Sequence, residues 1–289
     1  MMRAPFAQRK RSVNKPSMGS YVLAVLACLY VLAPFYILII TSLMTEQEAN
    51  FSDFHFWPTQ GFTLAGYKEV FEVHAGVNIF KSFWNTLWIY VPGILVGLYM
   101  SAMSAFAFAK LEFKSKKFMF SVLMFTLMLP NTLYLISQVL IFDTMGWMGT
   151  PLPLMIPPMF GNISAVFFLR QYYLTIPNDL IDQAKIDGLT PFGIFNRIMI
   201  KISIPSILTQ FILMFMSAYN DYMGALLFAQ SDRYYTLQVA LQMLVGAYQQ
   251  NWPLRMAGCV VAMAPLIIMY ISTQKLLSKG MAITSGLKG

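Results

Sequence analysis

Residues 21–43 read YVLAVLACLYVLAPFYILIITSL, an apolar run without one charged side chain. A helix needs about 20 predominantly apolar residues to cross the hydrocarbon of a bilayer, so this run is long enough to span. Four further runs of that order are free of charge, and a sixth is interrupted only by Asp221. Composition points the same way: 57% of the 289 residues are hydrophobic and 11% are charged, about half the charged share of a soluble domain. The expected fold is an all-α integral membrane protein with six transmembrane helices.

The flanks of the first run orient it. Before it stand Arg3, Arg9, Lys10, Arg11 and Lys15, and after it Glu46, Glu48, Asp53, Glu69 and Glu72. Lys and Arg accumulate in loops that remain in the cytoplasm, so residues 1–20 are expected to be a cytoplasmic tail. No small-residue cleavage site follows the run, which reads as a retained helix rather than a removed signal peptide. A second helix is expected within Ser82 to Ala109, ending at Lys110, Lys114, Lys116 and Lys117. The third is expected over Phe118 to Phe142 and the fourth over Leu154 to Leu169. The fifth should run from near Pro205 to about Phe228, the sixth from about Arg255 to Gln274, with a cytoplasmic tail over 277–289. In this topology the six-helix domain covers 21–276, and 16 of the 20 basic residues lie inside, the exceptions being Lys68, Lys81, Arg233 and Arg255. The net charge of +8 is thereby assigned to cytoplasmic loops and not to a nucleic-acid partner.

Along the second span Gly93, Gly97, Ser101 and Ala105 recur every fourth position, a stripe that lets another helix approach closely. Pro34, Pro92, Pro130, Pro157, Pro158 and Pro265 lie inside spans, which is tolerated where neighbouring helices satisfy the freed carbonyls. Cys28 and Cys259 lie in apolar runs and read as small hydrophobes, and the 22 Met residues as core filler.

Between the fourth and fifth spans lies a loop, 170–204, far longer than a helix-to-helix turn needs. Pro177 and Asn178 start a short helix with Asn178 as cap, Gly188 stops it, and Thr190 with Pro191 starts another. Taken by itself this is an amphipathic hairpin, suited either to lying on lipid headgroups or to docking a partner.

Asp182-Gln183-Ala184, then Gly188, then Ile198 and Ile200 resembles the coupling motif of ABC importer membrane subunits, usually Glu-Ala-Ala, Gly and Ile-x-Leu-Pro. Ile186-Asp187-Gly188 matches its most specific part. Asp182-Gln183 replaces Glu-Ala, and Lys201 stands at the motif's first proline. The likeness extends along most of the chain: Phe83-Trp84-Asn85-Thr86, Ser104 to Leu111, Ile176-Pro177, Tyr235-Thr236-Leu237 and Ser285 to Gly289 are similar to segments of the smaller permease of maltose-type and glycerol-phosphate-type carbohydrate importers. The resemblance implies that Asp182, Gln183, Ala184, Lys185, Asp187 and Gly188 form a coupling helix seated in an ATPase cleft. Leu180, Ile181 and Ile186 are apolar side chains that can fill such a cleft, and the resemblance implies that Lys288 and Gly289 reach between two ATPases. It implies an assembly with a second homologous permease, two ATPase subunits and an extracytoplasmic solute-binding protein in a bacterial inner membrane, both termini cytoplasmic. ATP and Mg would be held by the ATPases and no cofactor by this chain.

Asp221 is the one acid within a predicted span. Such a residue normally faces a cavity or a partner. With Tyr219, Asn220 and Tyr222 it offers aromatic faces and hydrogen-bonding groups of the kind that bind sugars. The same residues also fit an interfacial aromatic belt. A secondary transporter or channel is the alternative function, but proton-coupled designs place several ionisable groups in the membrane. No Gly-rich phosphate loop, His-Glu-x-x-His pair or second membrane aspartate is present, so neither ATP hydrolysis nor other catalysis is expected of this chain.

Overall fold

The computed structural model describes residues 17–50, 56–72, 77–247 and 250–286. The fold is all-α. α1 (Met18–Ser42) begins where the Ser17 hydroxyl accepts the Ser20 N–H. Two short helices, α2 (Glu46–Asn50) and α3 (Ala65–Phe71), follow in the first loop. α4 (Ile79–Lys110) is capped by Asn78, whose Oδ1 accepts the Lys81 N–H at 2.9 Å. α4 is the axis of the molecule: its first half lies in one hydrophobic cluster with the helices that end the chain, its second half in another with the loop before the fifth span.

The third span is not one helix. α5 (Lys116–Leu127) and α6 (Leu135–Thr144) are bent by 85° about a 3-10 turn at Asn131–Tyr134. Pro130 lies at the bend; it has no N–H to continue α5 and disfavours helical backbone at Leu129.

The fourth span is likewise divided, into α7 (Leu152–Met159) and α8 (Ile163–Thr175). Between them Gly161 adopts φ +114°, a conformation open chiefly to glycine. This break is seated on the small-residue stripe of α4. A Cβ at Gly93 would fall 2.8 Å from the Met155 carbonyl oxygen, and one at Gly97 only 2.0 Å from that of Pro158. One turn on, the Ser101 hydroxyl accepts the Asn162 N–H at 2.7 Å and donates to the Gly97 carbonyl at 2.7 Å. Asn162 in turn caps α8 through the Ala165 N–H. The Asn162 and Ala165 N–H groups freed by the break are thus satisfied inside the protein, as polar groups at membrane depth must be.

α9 (Asn178–Ile186) and α10 (Pro191–Ile194) form the hairpin. A π-turn (Phe195–Met199) leads into α11 (Ile200–Tyr219), so the fifth span starts upstream of Pro205, which lies inside it. It also ends early: after a break at Asn220–Tyr222 the chain resumes as α12 (Met223–Phe228). α13 (Leu237–Ala247) and α14 (Trp252–Gly286) complete the chain. α14 continues to Gly286 without interruption, through much of the stretch expected as a tail from 277. Among the described residues, five helical segments are long and apolar enough to cross a membrane, and six if α5 and α6 form one bent span.

Candidate functional site

The break in the fifth span places Asp221 on the wall of a cavity of about 750 Å³. Its carboxylate is fixed from two sides. Oδ1 accepts the Gly224 N–H at 2.9 Å, and Oδ2 accepts the Tyr90 hydroxyl of α4 at 2.9 Å. The bare backbone of Gly224 lets the carboxylate sit this close, because a Cβ there would lie 2.5 Å from Oδ2 and push the carboxylate aside. Asn220 also lines the cavity, its amide donating to the Met216 carbonyl at 2.8 Å. Tyr90, Gln138, Asn162 and Ser217 add hydroxyl and amide groups, and Pro157, Pro158, Ile94 and Met214 apolar wall.

The four residues grouped by sequence therefore separate. Asn220 and Asp221 face the cavity. Tyr219 is 1% exposed and donates its hydroxyl to the Ala262 carbonyl at 2.9 Å, pinning α11 to α14. Tyr222 packs against the core cluster and does not line the cavity. Tyr90, Gln138 and Asn162 carry no local sequence signal, since each belongs to a different span and only the fold brings them to Asp221.

At the far end of α4 lies the hairpin. Gly188, φ +80°, closes α9 in a Schellman motif: its N–H donates to Lys185 and that of Leu189 to Ala184, both at 3.0 Å. Asn178 does not cap α9. It is the first helical residue, its side chain turned instead to Lys110, whose ammonium donates to Asn178 Oδ1 at 2.7 Å and to the Ile176 carbonyl at 2.5 Å. Nearby, Arg170 Nε donates to the Phe108 carbonyl at 3.1 Å while its guanidinium lies over the Phe120 ring. Two cations thus tie the end of α4 to α8 and the start of α9.

The faces of α9 are sharply different. Ile181 and Ala184 are each 3% exposed, buried against the chain's own second cluster, so the expectation that Ile181 points outward does not hold, and Ala184 shares its inward face. Asp182, Gln183, Lys185, Ile186, Asp187 and Gly188 are exposed, Ile186 at 85%. Asp182 and Lys185 pair on the surface at 2.8 Å. Lys288 and Gly289 lie outside the described residues.

At the opposite end of α4, two segments distant in sequence meet. Asn85 donates to the carbonyls of Arg233 and Tyr235, each at 3.0 Å, and the Thr86 hydroxyl accepts the Leu237 N–H at 2.9 Å. Burial, with the Asp232 carboxylate beside it, raises the Tyr235 hydroxyl above the usual tyrosine range, so it stays protonated.

Residues 93–283 match the family model described as binding-protein-dependent transport system inner membrane component. The chain is 31% identical over 207 residues to the arabinooligosaccharides transport system permease protein AraQ of Halalkalibacterium halodurans, covering 72% of this chain and 74% of that one. It is 27% identical over 271 residues to the sn-glycerol-3-phosphate transport system permease protein UgpE of Brucella abortus, covering 91% and 95%. Its fold matches the crystal structure of a bacterial ABC transporter involved in import of the acidic polysaccharide alginate, with a TM-score of 0.78 at 20% identity over 94% of this chain and 99% of that one. Spanned over most of its length by the family model, with several apolar helices to cross a bilayer, the chain belongs to the inner membrane components of binding-protein-dependent transport systems, as a multi-pass translocation subunit of an ABC importer.

Proposed function

We propose that this permease forms part of the path of a sugar or oligosaccharide and is driven through the exposed face of α9. The observation that carries the substrate reading is the cavity at the break between α11 and α12. There the carboxylate of Asp221, the amides of Gln138, Asn162 and Asn220, and the hydroxyl of Ser217 stand beside apolar wall. Hydroxyl-rich ligands need many hydrogen-bonding partners together with apolar surface for the ring faces. The coupling reading rests on α9: its inner face holds it to the body while Asp182, Gln183, Lys185, Ile186, Asp187 and Gly188 stay open to a partner. Ala184 sets how closely α9 lies on the body.

In this reading the partners are a second homologous permease, two ATPase subunits that hold ATP and Mg, and an extracytoplasmic binding protein. Both termini are cytoplasmic, and Lys288 and Gly289 contact the ATPases. The test is ATP hydrolysis by the co-purified complex in lipid vesicles, with and without its binding protein and a panel of oligosaccharides. Stimulation severalfold by one loaded binding protein is expected, and a chain that purifies without any ATPase would sink the coupling reading.

A further inference from the structure

We propose that Asp221 makes the cavity selective for uncharged over anionic solutes, an inference that rests on the sugar reading of that cavity. Among the described residues lining it, Asp221 is the one charged side chain: no Lys, Arg, His or Glu shares the wall. Its two hydrogen bonds come from neutral donors, the Tyr90 hydroxyl and the Gly224 N–H. They orient the carboxylate and leave its charge uncompensated by a cation.

The fixation is tight. Tyr90 is 5% exposed and cannot swing away without vacating its place in the core. On the other side, the missing Cβ of Gly224 leaves room for the carboxylate to sit directly against the backbone. A solute in the cavity therefore meets a negative charge at a set position rather than one on a mobile side chain.

The cavity of about 750 Å³ is equivalent to a sphere of roughly 6 Å radius, so an anionic group at its centre lies about 6 Å from Asp221 on the wall. Two like charges roughly 6 Å apart repel by on the order of a hundredfold in occupancy at an effective dielectric constant of ~20, and water in the cavity reduces this to about tenfold. A neutral polyol has no such penalty. Its hydroxyls can donate to the carboxylate, which still has lone pairs free, and exchange hydrogen bonds with the amides of Asn162 and Gln138.

The test is direct binding to the assembled complex in lipid nanodiscs, without binding protein, so that the permease's own preference is read. The probes are a neutral trisaccharide and the uronic-acid trisaccharide of the same linkage, followed by calorimetry at low and high salt. The wild-type complex should favour the neutral probe about tenfold or more, with the preference shrinking as salt screens the repulsion. Asp221→Asn keeps the shape and should bring the two affinities close to parity at all salt concentrations. Ser217→Asp adds a second carboxylate on the cavity wall and should widen the ratio. A ratio unchanged in both variants, with the neutral probe still bound, overturns the charge selection and leaves the sugar reading standing. Failure of both probes to bind any of the complexes overturns the two together.

Discussion

Lys110 holds three elements with one ammonium group. It ends α4, donates to the carbonyl of Ile176 at the end of α8, and donates to the Asn178 side-chain oxygen at the start of α9. Hydrogen bonds from a charged donor are worth about 1.5–3 kcal/mol each when well placed, and partial exposure here places them near the lower end. Lys110→Met keeps the stem and removes the donors, so α9 should open more often. Amide exchange over 178–186 should accelerate by about tenfold, roughly the effect of losing ~1.4 kcal/mol of local stability, whereas Lys110→Arg should restore much of the protection. Exchange equal to wild type in Lys110→Met would show that Ile181 and Ala184 alone hold the helix. Asp221 and Tyr90 illustrate the same scale in the membrane: one side chain's position is set by a residue more than a hundred positions away, which no local pattern signals.

The elements that matter most are interrupted ones. α7 and α8 meet at Gly161 and lie against Gly97 and Ser101, and the fit depends on the absence of side-chain volume: Gly97→Ala would put a Cβ 2.0 Å from the Pro158 carbonyl oxygen. Backbone must move to admit it, and overpacking of this kind costs about 1–3 kcal/mol or more. The assembled complex should melt at a clearly lower temperature, whereas Gly246→Ala in α13, with nothing within 4 Å of its Cβ position, should be neutral or slightly stabilising. Equal melting of the two variants would refute the close packing at Gly97. The stripe Gly93, Gly97, Ser101 and Ala105 was legible in sequence because a four-residue spacing is a property of one helix. The breaks were harder to read. Hydropathy averages over a window and reports Leu154 to Leu169 or Pro205 to Phe228 as continuous, although Gly161 and Asn220-Asp221-Tyr222 interrupt the helices there. The caps at Gly188 and Thr190 were legible, being local. The inward face of α9 was not, because an amphipathic helix of nine residues has two faces that can each take a partner.

At the scale of the whole molecule, α4 separates two ends of different charge. Asn85 and Lys110 lie about 38 Å apart along a helix rising 1.5 Å per residue, more than the ~30 Å of hydrocarbon, so their surroundings belong to opposite sides of the bilayer. Around Lys110 gather Arg170, the hairpin with Lys185, and the loop with Lys114, Lys116 and Lys117. Around Asn85 the chain passes Asp232 and Arg233, and the first loop beyond α1 carries Glu46, Glu48, Glu69 and Glu72. By the bias of Lys and Arg toward cytoplasmic loops, the Lys110 end is expected inside. Single cysteines at Lys114 and Lys117, after Cys28 and Cys259 are replaced by Ala, should react with a membrane-impermeant maleimide only in inverted vesicles, and cysteines at Gln60 and Asp232 only in intact spheroplasts. Reaction of 114 and 232 from the same side would mean that α4 does not cross the bilayer, and the hairpin and the cavity would then lose the separation that a transport cycle requires.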